Sequence, residues 1–189
     1  MYMKSANKAL LALAITALTS SYAFADVDGG SGKITFTGTI INAPCAILPE
    51  DIDKQVELGE VPASYINANG HSDAVDSSLH LINCDLPNSD NGSGVAVSKV
   101  DVTFNSDSVT TEDTSLLSNT FASGAQNVGV RLLDKTSANI TLGTAKTIDL
   151  SAGSATQILP FMAYMQKVGA TDVTVGAVAA TATYRLTYK

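Results

Sequence analysis

The chain has 189 residues with 18 acidic against 11 basic side chains, a formal charge of −7, two cysteines and no tryptophan. An acidic chain without a basic cluster offers nothing to nucleic-acid phosphates or to an anionic lipid surface, so neither is an expected partner. With 45% hydrophobic residues it is long enough for one domain with a sizeable core.

Residues 1–25 read as a signal peptide to be removed. Lys4 and Lys8 give a positive start, Ala9 to Leu18 a short apolar run, and Ala23-Phe24-Ala25 a small-x-small cleavage site. The apolar run is about half of the ~20 residues that cross a bilayer, so direct membrane insertion is not expected. The expected mature chain begins at Asp26 and has 164 residues (189 less 25). In an exported chain, Cys45 and Cys84 are expected to form one structural disulfide. Closing a loop of about 40 residues would stabilise the fold by roughly 3–4 kcal/mol on the chain-entropy account. There is no CxxC pair to suggest redox catalysis.

After a Gly/Ser/Asp opening, alternation places Gly30, Gly32, Ile34, Phe36, Gly38 and Ile40 on one face and Ser31, Lys33, Thr35, Thr37 and Thr39 on the other. That is a strand pattern, weak where glycine packs nothing. Asn42-Ala43-Pro44 interrupts it, Leu48 to Lys54 reads as an acidic loop, and Gln55 to Val61 as a short strand. Pro62 to Ser72 reads as turns with a single helical turn, and Ser77 to Leu86 as a strand carrying the second cysteine. From Val95 to Phe104 the apolar face switches at Ser98-Lys99, a sign of a bulge or bend. Further strands are expected at Asn127–Lys135, 140–142, 147–150 and 157–168, with Pro160 marking an edge or bulge.

The last stretch is the longest. Gly176, Val178, Ala180, Ala182, Tyr184, Leu186 and Tyr188 alternate with Ala177, Ala179, Thr181, Thr183, Arg185, Thr187 and Lys189. The thirteen steps from Gly176 to Lys189 would run roughly 43 Å at about 3.3 Å each. No mature stretch of ten residues keeps a helical period, and many short strands with one disulfide describe an all-β sandwich.

Chemistry is hard to assemble from these residues. There are two histidines, His71 and His80, and no GxSxG elbow; His80 lies in a Leu-His-Leu strand run, where a structural role is expected. Nothing stands at zinc or copper ligand spacing. The run from Asp85 to Gly92 is rich in oxygen ligands but lacks the full calcium-loop spacing, so a solvated hairpin turn is expected. Gly29 to Gly32 precedes a strand and not a helix, which argues against a phosphate cradle. No enzyme activity, metal or cofactor is expected.

Several segments together resemble the pilins of chaperone–usher fimbriae, of the type 1 and P fimbrial kind. They are GKITFTGTIINAPC over 32–45, LHLINC over 79–84, NVGVRLLD over 127–134 and LPFMAYM over 159–165, with Tyr164 within a residue of the family's tyrosine. Tyr188 as the penultimate residue and Gly176 fourteen from the end complete the set. The resemblance implies an immunoglobulin-like sandwich lacking its last strand and completed in trans. A periplasmic chaperone would lend a strand first. An outer-membrane usher would then exchange it for the arm of a neighbouring pilin, building a homopolymer on the cell surface. On this reading 26–42 is a donor arm that runs into the first strand, and 43–189 is the pilin domain. Gly30, Gly32, Ile34, Phe36 and Gly38 face a neighbour's groove. The alternate residues from Gly176 to Tyr188 line one wall of the chain's own groove. A minor tip or adaptor subunit, or a single-domain adhesin binding a host glycan or protein, is the alternative; a single domain that keeps its arm favours the polymerising subunit.

Overall fold

The computed structural model describes residues 30–40, 43–90, 92 and 94–189; the expected signal peptide and cleavage site lie outside them. The chain divides into two units between Thr39 and Ile40. In the first, residues 30–39 form neither strand nor helix and are exposed throughout, with Ile34 78% and Phe36 87% accessible. The alternation there is a strand pattern without a ladder. Extended backbone needs a partner to become a strand.

In chain order the second unit forms β1 (Ala46–Ile47), α1 (Pro49–Ile52), α2 (Ala63–Asn69), β2 (Val75–Asp76), β3 (Leu79–Ile82) and β4 (Lys99–Asn105). There follow β5 (Leu117–Ser118), β6 (Val128–Asp134), β7 (Lys146–Asp149), β8 (Gln157–Leu159), β9 (Phe161–Lys167) and β10 (Thr183–Tyr188). They join as three antiparallel sheets, ordered β1-β3-β8, β10-β4-β7 and β2-β9-β6-β5. Residue 160 is where the chain changes sheet: Leu159 pairs with Leu79, whereas Phe161 pairs with Asp134. Pro160 lacks an N–H to donate, and the ladder breaks there.

Inward residues of these sheets make a common core. Leu79, Leu81, Val100, Val102, Phe104, Leu159 and Phe161 are buried together with Cys45. Phe104 meets Phe161 edge to face at 4.8 Å between ring centres, the arrangement aromatic quadrupoles favour. The Cys45–Cys84 disulfide is formed and joins the start of β1 to the turn after β3. Strand β6, buried along nearly its whole length, is central between β5 and β9.

Two segments expected as loop or turn are helical. Leu48–Lys54 contains α1, where Pro49 opens the helix and Glu50 and Asp51 sit in its first turn, both favourable at a helix start. Pro62–Ser72 contains the seven residues of α2, stopped by Gly70 in the left-handed conformation, whose N–H bonds Ile66 O at 2.7 Å. Conversely, 140–142 is not a strand: Ile140 is buried and its N–H bonds Leu132 O, but the chain turns away.

Asp134, at the end of β6, holds the next turn. Its Oδ1 accepts from Thr136 N at 2.8 Å, Thr136 Oγ1 at 2.6 Å and Ala138 N at 3.0 Å, while Oδ2 pairs with Lys146 Nζ. The bond from Lys146, then that from Thr136, hold this carboxyl well below the usual carboxylate range. A depressed folded pKa contributes stability that is present above about 3.9 and is lost as pH falls below it. Asp134→Asn is therefore expected to lower the urea midpoint at pH 7 and to shrink the difference between pH 7 and pH 3. Urea titrations at the two pH values check this.

Candidate assembly groove

From Ala177 to Lys189 exposure alternates without a break: odd residues are exposed and even residues half-buried. The ladder itself is shorter than the sequence pattern suggests. Only Thr183–Tyr188 pairs with β4, from Thr183 opposite Asn105 to Tyr188 opposite Val100. Lys99 and Lys189 exchange N–H···O bonds of 3.0 and 2.9 Å. In an antiparallel ladder such pairs recur at every second residue. The backbone groups of Thr183, Arg185 and Thr187 therefore serve β4, and those of Tyr184, Leu186 and Tyr188 point to the other side. β10 has no second neighbour in its sheet.

Residues 177–182 extend the alternation where β4 has already ended. Side chains take over the ladder's role. Asn119 Nδ2 donates to Ala177 O at 2.9 Å and to Ala125 O at 2.9 Å; its Oδ1 accepts from Ala179 N at 2.9 Å and Phe121 N at 3.1 Å. That saturates the two donors and two lone pairs of the amide. Thr120 N–H and Oγ1–H both reach Ala179 O, and Ser106 Oγ donates to Thr181 O at 2.7 Å. The loop comes so close that a Cβ on Gly176 would sit 2.4 Å from Ala125 N. Glycine is required there by contact with backbone, which cannot move aside.

A second edge faces this one across the core. Residues 54–61, with 55–61 expected as a strand, alternate between half-buried Lys54, Val56 and Leu58 and exposed Gln55 and Glu57, yet join no ladder. Leu58 packs on buried Leu117, Val130 and Ala163, the same cluster that Val178, Ala180 and Ala182 cover. Val61 and Val178 likewise share the cluster of Ile66, Val128 and Met165. Among the described residues no backbone hydrogen bond joins 54–61 to 176–189. Two extended segments thus border one apolar floor, and among the described residues no backbone bond links them.

At one end the edges are tied. Asp51, in α1, is buried; its carboxylate accepts from His80 N at 2.6 Å, contacts His80 Nδ1 at 2.8 Å and takes Lys54 Nζ at 2.6 Å. Burial pushes its pKa up, but the bonds from Lys54 and His80 outweigh that and hold it below the ordinary value. Tyr184 Oη donates to the Asp51 carbonyl at 2.7 Å. Tyr188 buries its hydroxyl without a protein partner, and burial pushes its pKa up to about 12. Lys189 Nζ pairs with Asp101, which also accepts from Thr147 Oγ1, fixing the strand's far end.

The predicted residues therefore fall in two places. Gly176, Val178, Ala180, Ala182, Tyr184, Leu186 and Tyr188 share one extended edge; Gly30, Gly32, Ile34, Phe36 and Gly38 lie in the other unit. Asp51 and Asn119 escape the sequence reading. Proline followed by two acids signals α1, but His80 and Tyr184, which meet Asp51, and Ala177, which meets Asn119, stand 29 to 133 residues away. His71 stacks on Tyr164 at 4.7 Å, and Asp90 caps the turn at Gly92 and Gly94.

A family model of fimbrial proteins matches residues 34–189. The chain belongs to the fimbrial protein family. It is 52% identical over 189 residues to the fimbrial-like protein YbgD of Escherichia coli strain K12, covering 99% of this chain and 100% of that one. It is 32% identical over 194 residues to a type 1 fimbrial subunit of Klebsiella pneumoniae, with the same coverage. Among solved structures it matches a chaperone–usher pilus subunit with a TM-score of 0.71 at 26% identity, over 86% of this chain and 98% of the other. The P pilus rod subunit PapA shares the fold, with a TM-score of 0.65 at 23% identity over 78% and 100%. The immunoglobulin-like sandwich expected from the sequence is the fold of these neighbours. The family is one of structural subunits exported to the cell surface, not of enzymes.

The close approach at Gly176 gives a direct test of how this fimbrial chain holds its groove edge. Gly176→Ala forces backbone against backbone and is expected to cost about 1–3 kcal/mol. Limited proteolysis should show new cleavage within 174–182, with β6 and β9 still protected.

Proposed function

We propose that this chain is a shaft subunit of a surface fimbria that polymerises head to tail by donor-strand exchange. The observation that carries the reading is the inner face of 177–189. Every inward residue there is only half-buried, and among the described residues its outer row of backbone groups has no partner, nor has the second extended segment at 54–61. An added strand supplies both missing rows of hydrogen bonds and covers the floor, which is β-augmentation. A bare edge of this kind is otherwise a site of aggregation.

The occupant is residues 28–40 or so of a neighbouring copy, delivered after a periplasmic chaperone has lent its own strand and an outer-membrane usher has exchanged it. Gly30, Gly32, Ile34, Phe36 and Gly38 form the inward face of that arm. Ile34 and Phe36 are exposed in the isolated chain; each is worth roughly 1.5–3 kcal/mol when fully buried. A head-to-tail contact whose donor and acceptor are different surfaces does not close, so repetition yields a fibre. Residues 1–25 are the leader removed on export, 26–42 the arm and 43–189 the acceptor domain.

Appending residues 26–42 after Lys189 through a flexible linker is expected to give a soluble monomer. Its melting temperature should lie well above that of the chain without the appended strand. Equal melting temperatures would refute the missing strand. In the unmodified chain, Phe36→Asp is expected to abolish incorporation into fibres while leaving the chaperone complex intact, read by electron microscopy and co-purification.

A further inference from the structure

Of the two tyrosines on the inner face of β10, Tyr188 finds no partner for its hydroxyl among the described residues, whereas Tyr184 reaches α1, which leads into the opposite edge at 54–61, and bonds the Asp51 carbonyl. A tyrosine spans about 6.5 Å from Cα to Oη. With the bond added, the Tyr184 Cα lies at most about 9 Å from that carbonyl, close to two strand spacings of about 4.8 Å each. At this contact the gap is therefore no wider than one inserted strand requires. Its far anchor is rigid, because the Asp51 carboxylate is gripped from β3 by His80 N and Nδ1 and from its own element by Lys54.

We infer that the Tyr184–Asp51 contact is a crossbar that holds the unoccupied groove at the width of a single extended strand. The inference rests on the donor-strand reading above and concerns what happens before the donor arrives. An empty groove has two ways to fail. Burial of the exposed apolar floor draws its edges together, and loss of a tie lets them splay. The Tyr184 ring, packed against the core and 6.4 Å from the Phe104 ring centre, is a strut against the first. Its hydrogen bond is a tie against the second. Burial, then the charge of Asp51, raises the Tyr184 pKa above its ordinary value, so the hydroxyl remains a donor at neutral pH. Once a donor strand pairs with both edges, its ladders hold the width and the bar becomes redundant. Tyr184 is thus a positioning residue whose effect is confined to the empty subunit.

The test separates empty from filled. The mature chain 26–189, with its disulfide intact, is unfolded and diluted to nanomolar concentration. A labelled peptide of residues 26–42 is then added after increasing delays, and one-to-one capture is read by fluorescence polarisation. Wild type should capture the peptide, with competence decaying over a measurable half-life. Tyr184→Phe, which keeps the ring and removes the tie, should capture equally at zero delay but lose competence about fivefold faster, the worth of one net hydrogen bond. The finished complexes should unfold at the same rate. Tyr65→Phe removes a surface bond to Asp73 and should behave as wild type. Asp51→Asn, which weakens the grip on α1, should also shorten the half-life; it decides the case if Tyr184→Phe captures nothing at zero delay. Equal half-lives for wild type and these variants overturn the crossbar. So does equal destabilisation of the finished complex, which would make the bond an ordinary fold contact. Failure of wild type to capture the peptide at any delay would instead sink the donor-strand reading.

Discussion

A buried or half-buried backbone group must find a partner, and most features of this molecule follow from one row of groups that has none among the described residues. The row runs along the free side of Val178 to Tyr188. In a complete sandwich the same residues would be covered and the same N–H and C=O groups laddered. Here the inward side chains stop at half-burial. The floor beneath them, Leu117, Val130 and Ala163, is met by the small side chains of Ala180 and Ala182 and by Val178, Leu58, Leu132 and Leu142, all of them only partly buried. On the donor-strand proposal, one added strand would complete this core.

Holding such an edge extended without its neighbour is a separate physical problem, and polar side chains solve it. Where β4 gives out after Asn105, the Asn119 amide stands in for a strand, giving and taking hydrogen bonds at alternate residues as a backbone would. At the other end Asp51 does the equivalent through its carbonyl. A buried carboxylate is costly unless paired and hydrogen-bonded, and Asp51 is both, with its contacts divided between Lys54 and His80. These polar contacts fix shape at the two ends of the groove and leave its middle apolar.

How much of this was legible in the sequence depends on how local each signal is. Alternation is local, so strands β3, β6, β9 and β10 lie within the stretches read as strands and β4 runs one residue past its stretch, and the family resemblance rested largely on those stretches. Alternation does not say whether a ladder partner exists. Residues 30–40, 55–61 and 177–182 carry the pattern but join no strand, because pairing depends on chain far away or absent. Helix α1 was missed although Pro49-Glu50-Asp51 is a helix start, since four residues have no periodicity to display. The clasp residues were out of reach: nothing local marks Asn119 as the partner of Ala177 and Ala179, or Asp51 as that of Tyr184.

Those three segments, where pattern and ladder disagree, are also the ones the proposed assembly uses, and their side chains are complementary in size. The arm carries its bulk at its centre, Ile34 and Phe36, between glycines at 30, 32 and 38. The groove wall carries its smallest inward residues at Ala180 and Ala182, and its largest at Tyr184, Leu186 and Tyr188. A strand with large knobs along its whole face would collide with the tyrosines, and one without knobs would leave the alanine section unfilled at a cost set by the cavity. Backbone pairing alone would accept any register, because every N–H and C=O is alike. Graded size on both faces makes one register better than its neighbours two residues away, where bulk would meet bulk. On the donor-strand proposal the glycines of the arm, which weaken it as a strand by itself, would serve specificity, since only a groove of matching relief would order it.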